Sequence, residues 1–215
     1  MKVESWKLFL YSRLLALPLP AEKITVMFKD LFNTAILLII KPSEAWKKLL
    51  AKQADDHEKF LSGYVYPFIG LVTLTSFAGI LFTRKGFDLQ IALKECIMVV
   101  MSMFGGFFIA SWLSNEMWQK IFHRAPDMKL CQRFVGYSSS LLYCLTIALS
   151  LIPEFFFLRF LVLYTIYIVW EGAIPYMNVT EDEQLLFAGI ATAIILGTPV
   201  VIEFTVGLLM PGLRL

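Results

Sequence analysis

Charge is what this sequence has least of. Asp, Glu, Lys and Arg make up 17% of its 215 residues, where a soluble domain carries roughly 25%. The 19 basic and 17 acidic residues nearly cancel, which excludes the strongly basic surface that nucleic-acid binding needs. Histidine occurs twice and cysteine three times. Cys96, Cys131 and Cys144 form no C-x-x-C pair, so they suit reduced, buried thiols better than a disulfide or zinc framework. There is no H-E-x-x-H, no G-x-S-x-G and no phosphate-binding glycine loop. The sequence therefore predicts no enzyme, no catalytic residue, no cofactor and no metal site.

The near-misses read as structure. His57 lies in the charged run Asp55-Asp56-His57-Glu58 and is expected to be solvated. His123 and Asp127 stand one residue short of an acyltransferase-type H-x-x-x-x-D, with Pro126 between them. Glu181-Asp182-Glu183 after Thr180 reads as a helix start, with Thr180 as cap and Glu183 completing a capping box.

What is plentiful is apolar surface. Hydrophobic residues make up 58% of the chain and aromatics 15%, and mean hydropathy is +0.70. That exceeds what one soluble core hides, so the chain reads as an integral membrane protein. A bilayer core takes about 20 apolar residues in helical form. Stretches of that kind run over Phe60–Thr83, Cys96–Asn115, Phe134–Pro153 and Gln184–Ile202, the last resuming after Glu203. Phe155–Trp170 is apolar except for Arg159. The expected fold is thus all-α and polytopic: five transmembrane helices over residues 61–213, preceded by amphipathic helices in residues 1–60.

Within that leading segment, Val3, Trp6, Leu10, Leu14 and Leu17 form a helical stripe. Its charge-then-apolar order mimics a signal peptide, but Arg13 interrupts the apolar part, so it is expected to be retained. Ile24–Ile40 is cut by Lys29 and Asp30 and is too short to span. It reads as interfacial or packed under the bundle. Lys41-Pro42-Ser43 stops it, and Ser43 is placed to cap the next helix. There Trp46, Leu49 and Leu50 share a face away from Lys47 and Lys48, the pattern of a helix lying on a membrane surface with Trp46 as interfacial anchor.

Basic residues set the orientation. Ten precede the first span; the successive loops hold three, four, one and none, and one follows the last span. Fourteen therefore fall on the N-terminal side and five opposite. This predicts a cytoplasmic N-terminus, at the inner membrane if the cell is bacterial.

Small residues every fourth position let membrane helices approach closely. Ser102, Gly106, Ala110 and Ser114 form such a ridge in the second span. Gly136, Ser140, Cys144 and Ala148 form one in the third, and Gly189, Ala193 and Gly197 one in the fifth. Spans two and three are expected to pack through these ridges, with five nearby. Glu203, four residues beyond the helix-breaking Pro199, is the one acidic residue well inside a span, and a carboxylate there is costly. Arg159 enters from the same side, about 6 Å below Phe155 by helical rise, so an intramembrane Glu203–Arg159 pair is expected.

The details resemble a known family. LLIIKPSEAWKKLL at Leu37–Leu50 resembles the Pro-x-x-x-Trp element that precedes the spans of bacterial Yip-domain proteins, relatives of the eukaryotic Ypt/Rab-interacting membrane proteins. FVGYSSSLLYCLTIALSLIP at Phe134–Pro153 is similar to that family's third span, with its Gly-Tyr at Gly136 and Tyr137. LVLYTIYIVWEGAIPYMNVTEDEQLLFAGI at Leu161–Ile190 is similar to its fourth span and the short link into the fifth. The likeness covers roughly residues 35–205. It implies five spans, a cytoplasmic N-terminus, interaction with other membrane proteins and no catalytic residues. The Asp-Leu-Tyr-Gly-Pro element of the eukaryotic members is absent, so it carries no Rab-type GTPase binding to this chain. The function expected is a membrane scaffold or adaptor whose partners are the lipid bilayer and other membrane proteins or further copies of itself. The alternative is a transporter, or a transport-complex subunit, that uses Glu203 near the Pro199 kink. An enzyme acting on lipid would need a nucleophile or base that the sequence does not offer.

Overall fold

The computed structural model describes residues 21–51, 57–83 and 89–209. The stripe at Met1–Leu17 lies outside them. Among the described residues every element is helical. Two shorter helices, α1 (Ala21–Ile40) and α2 (Pro42–Ala51), come first. Five helices long and apolar enough to cross a membrane follow: α3 (His57–Ile80), α4 (Leu89–Lys120), α5 (Met128–Leu151), α6 (Pro153–Met177) and α7 (Glu181–Leu209). The five expected spans are these five. A single residue, Ile152, separates α5 from α6, so the tight Pro153 junction is a true helix boundary.

The spans are irregular where their sequences make them so. Both α3 and α4 carry a π-helical turn, at Leu61–Val65 and Met101–Gly105, a form that is rare and concentrates at functional positions. The outer part of α6, Pro153–Tyr164, is 3-10 helical and kinked at Phe155, whose φ of −84° and ψ of 35° are not helical. Runs of this length are uncommon, and the rise is about 2.0 Å per residue rather than 1.5 Å. α6 ends at Asn178, whose left-handed φ of 55° closes the helix with bonds to Ala173 and Ile174. Thr180 then starts α7, and Glu183 accepts from the Thr180 N–H at 3.4 Å, as a capping box requires. Asp127 is the cap of α5, accepting from Leu130 N at 2.9 Å. That structural role accounts for its place near His123.

α4 packs along both α5 and α7, and α3 packs on both α4 and α5. The ridges behave differently from one another. Ser102, Gly106, Ala110 and Ser114 are all buried, but they face the fifth span: a Cβ on Gly106 would stand 2.9 Å from Pro199 Cγ. Gly136 and Ser140 face mainly the first span. A Cβ on Gly136 would meet Phe60 Cζ at 2.6 Å, and Ser140 Oγ is 2.6 Å from Tyr64 Oη. Cys144 is half-buried and Ala148 exposed, because the helix turns that row outward after the break at Ser139. Spans two and three do pack, and a Cβ on Gly136 would also stand 3.3 Å from Phe107 Cε2 in span two, but Gly106 meets the fifth span rather than the third-span ridge. In α7, Gly189 and Gly197 have nothing within 4 Å of a Cβ, and Ala193 is exposed. That row faces outward, while Phe187, Ala188, Ala191, Ile195 and Pro199 pack inward. Spacing identified the row but not its direction.

α1 and α2 do not lie along a surface. α1 runs down beside the first and third spans, with Leu31, Ala35 and Leu38 buried and Phe32 edge-on to Phe68 at 6.0 Å. The chain reverses at Lys41, and α2 packs back along α6. Pro42 takes the first helical position and Ala45 N bonds to Lys41 O at 3.0 Å, so Lys41 rather than Ser43 occupies the cap. The tip is deep: Tyr164 Oη donates to Ile39 O at 3.1 Å. Trp170, six residues further along α6 and partly exposed, belongs to the belt of aromatics expected at an interface. The tip thus reaches about 9 Å below that belt by helical rise.

Candidate functional site

Two features on the N-terminal side of the bundle bring together the residues with chemistry to offer. The first is the seat of Trp46. Rather than anchoring at lipid, its indole is fully buried among α2, α5 and α6. It stacks on Phe134 with ring centroids 5.1 Å apart, tilts against Tyr176 at 4.9 Å, and meets Tyr137 edge-on at 6.2 Å. Its Nε1–H donates to Ile168 O at 2.8 Å, satisfying the one polar atom of the ring. Below it lies Gly172, where a Cβ would stand 2.7 Å from Nε1. The interfacial-anchor expectation is corrected for a physical reason: an apolar helix stripe fixes which face is buried but not whether lipid or protein buries it.

The second is a cavity of about 260 Å³ between α1, α3 and α5. Asp30, Lys59 and Arg133 bring charge to its wall, and Met27, Leu31, Phe60, Tyr64 and Tyr137 supply the apolar remainder. Arg133 is 7% exposed, an uncommon burial for a guanidinium. It also lies beside Tyr176, one of the Trp46 partners. Gly63, in the π-helical turn of α3, lines the cavity and leaves open space where a side chain would project. Arg133 and Lys59 were legible as letters, but only the helix packing puts them on one wall. His57 is not solvated as expected: it is half-buried at the head of α3, its Nε2 2.7 Å from Gln132 Oε1. Among the described residues no group of three or more His, Cys, Asp or Glu is placed to hold a metal.

The expected Glu203–Arg159 pair is not formed. Both side chains are exposed, on α7 and on the 3-10 part of α6. The ion pairs among the described residues are Lys41–Glu44 at 3.1 Å, Lys120–Glu116 at 2.6 Å and Arg124–Glu183 at 3.5 Å. The depth arithmetic that placed both groups in one leaflet carried no information on azimuth, and each of the two points away from the bundle. Glu203 lines neither the cavity described above nor the small one between α4, α5 and α7 at Pro199.

Compared with protein families, the chain matches the Yip1 domain over residues 36–202, from the last turn of α1 through most of α7. No curated protein and no solved structure gives a significant match. The matched stretch takes in Pro42, Trp46 and all five spans, and covers more than half of the chain. This integral membrane protein belongs to the Yip1 domain family.

Proposed function

We propose that this chain is a non-enzymatic membrane scaffold or adaptor, its N-terminus in the cytoplasm, that holds other membrane proteins against the outward side of its fourth span. One observation carries the reading. In a 3-10 helix side chains three apart eclipse one another, so Phe157, Phe160 and Leu163, beyond the kink at Phe155, stand in a single row. Phe157 is 54%, Phe160 75% and Leu163 63% exposed, and no residue of Pro153–Tyr164 is buried. An exposed row of that kind, on the side of the helix away from Leu158 and Val162, offers van der Waals packing to another transmembrane helix, the interaction that drives association in lipid. The bundle interior is by contrast tied up in its own contacts. The cytoplasmic N-terminus follows from the fourteen basic residues on that side against five opposite. Transport through a Glu203 pathway receives no support, because that carboxylate faces outward and lines neither cavity.

Photo-crosslinking in native membranes tests the proposal. A benzophenone side chain at Phe160 is expected to give discrete protein adducts, to this chain or another, while one at Val200, also exposed, gives lipid adducts alone. Lipid adducts alone at both positions would overturn it.

A further inference from the structure

The hairpin of α1 and α2 has two unlike flanks. On the α1 flank the exposed side chains at Phe32, Ile36 and Ile40 are apolar. On the α2 flank Lys41, Glu44 and Lys48 are exposed, and spacings of three and four put them on one helix face. Charge on an exposed helix face is ordinary; the depth of these residues is not. Tyr164, which bonds to Ile39 O at the tip, stands near the middle of α6. Thirteen residues of α-helix follow it, about 20 Å at 1.5 Å per residue. Twelve residues of kinked 3-10 helix end with it, at most about 24 Å. At that level Lys41 Nζ donates to Glu44 Oε1 at 3.1 Å, with the side chains 59% and 55% exposed. They turn to each other instead of extending to the boundary, as snorkelling side chains do. Charge in hydrocarbon is costly, and water defects and local thinning of the bilayer relieve the cost. Headgroups and water of the adjoining leaflet therefore come to the pair, and Lys48, one turn nearer the boundary than Glu44, leads them in.

We propose that this flank scrambles glycerophospholipids: headgroups pass between the leaflets along Lys48, Glu44 and Lys41 while their acyl chains stay in lipid. The phosphate diester pairs with the lysines, and a headgroup ammonium or hydroxyl donates to the Glu44 carboxylate. A leaflet thinned to the hairpin tip leaves only half of a hydrocarbon core about 30 Å thick to be crossed. In that half Arg159 stands exposed, with no ion pair among the described residues. The exchange is passive and runs in both directions, so it needs no energy source. The apolar α1 flank keeps the tip seated in the bilayer meanwhile. The inference goes beyond the scaffold reading and does not rest on it, because vesicles of pure lipid hold no partner protein.

The test reconstitutes the purified full-length protein into vesicles of phosphatidylcholine and phosphatidylglycerol. A trace of phosphatidylcholine with a nitrobenzoxadiazole label on its acyl chain is the probe, and dithionite is added outside. Protein-free vesicles keep their inner-leaflet fluorescence; with the wild-type protein it is expected to be lost. Lys41→Leu/Glu44→Leu is expected to slow the loss at least about ten-fold, since it removes the charge at mid-depth. Both side chains are exposed and pair only with each other, so helix content and unfolding in detergent are expected to be little changed. The swapped pair Lys41→Glu/Glu44→Lys keeps the flank charged and is expected to stay within about two-fold of wild type. Glu203→Leu, which removes an exposed charge from α7, is expected to leave the rate unaltered. Retained inner-leaflet fluorescence with the wild type would overturn the proposal. So would a wild-type rate for the double leucine variant, or equal slowing by the swapped pair or by Glu203→Leu. Equally fast bleaching of a water-soluble label trapped inside the vesicles would overturn it in favour of a leak.

Discussion

Trp46 and Gly172 are shaped to each other: the indole fills the space that any side chain at residue 172 would need, and its N–H reaches Ile168 O one turn away. This contact links α2 to α6, across 122 positions of sequence. It explains why a ten-residue helix with exposed lysines at 47 and 48 is held inside a membrane bundle. Two requirements meet there. The ring needs a glycine on α6, and its polar atom needs a carbonyl that a helix presents at the right height.

The pair predicts a non-additive double-mutant cycle. Trp46→Ala removes a fully buried aromatic and is expected to cost about 3–5 kcal/mol, as large-to-small changes at packed sites do. Trp46→Phe, which keeps most of the ring and loses the bond to Ile168, is expected to cost on the order of 1 kcal/mol. Gly172→Ala should destabilise the wild type but be neutral in the Trp46→Ala background, where the Cβ finds room. Unfolding in mixed micelles measures all four corners. Independent, additive costs would mean that the two residues do not share this space.

Glycines divide just as sharply by what surrounds them. At Gly79 in α3 a Cβ would collide with the carbonyl oxygen of Ser150 in α5, a backbone atom that cannot swing aside. Ser76 and Ser150 hydroxyls meet at 3.1 Å beside it. At Gly189 in α7 nothing lies within 4 Å. Gly79→Ala is therefore expected to separate the first and third spans and lower the unfolding midpoint markedly. Gly189→Ala is expected to be neutral or to stabilise by up to about 1 kcal/mol, since alanine favours the helix. The same denaturant series on both variants checks it, and a Gly189→Ala protein as impaired as Gly79→Ala would contradict the placement of that row.

The sequence carried some of these features plainly and others not at all. Span number and rough extent were legible because the bilayer sets a length that four charge-free windows approach, and Phe155–Trp170, interrupted only by Arg159, supplies the fifth. The capping box at Thr180 and Glu183 was legible because it is local chemistry. Orientation of a face was not. Gly106 and Gly189 sit in ridges of identical spacing, yet one meets Pro199 and the other faces outward. Spacing defines a stripe, and only the arrangement of neighbouring helices decides what covers it. Arg159 and Glu203 failed to meet for the same reason, compounded by the kink at Phe155 and the 3-10 turns after it, which shift the azimuth of Arg159. The Lys59–Arg133 wall is a product of tertiary packing, with 74 positions of sequence between its two cations.

The α1–α2 hairpin gives the most direct contrast between a surface helix and an inserted one. If α2 lay flat, reporters at either end of it would sit at one depth. In the structure Ile40, 69% exposed at the tip, lies by Tyr164, whereas Lys48 is seven residues up α2 toward the N-terminal side. From Pro42, where α2 begins beside that tip, to Lys48 the helix rises about 9 Å at 1.5 Å per residue. Single cysteines at Ile40 and Lys48, spin-labelled in bilayers, are therefore expected to differ in depth by about 10 Å, with the label at 40 the more accessible to oxygen and the less accessible to a polar nickel complex. Both positions point away from the bundle, so neither label disturbs the Trp46 seat. Adding Trp46→Ala should then reduce the difference, because the lysines at 47 and 48 draw α2 back to the headgroups once its buried anchor is gone. Equal depths in the unaltered protein would return α2 to the membrane surface.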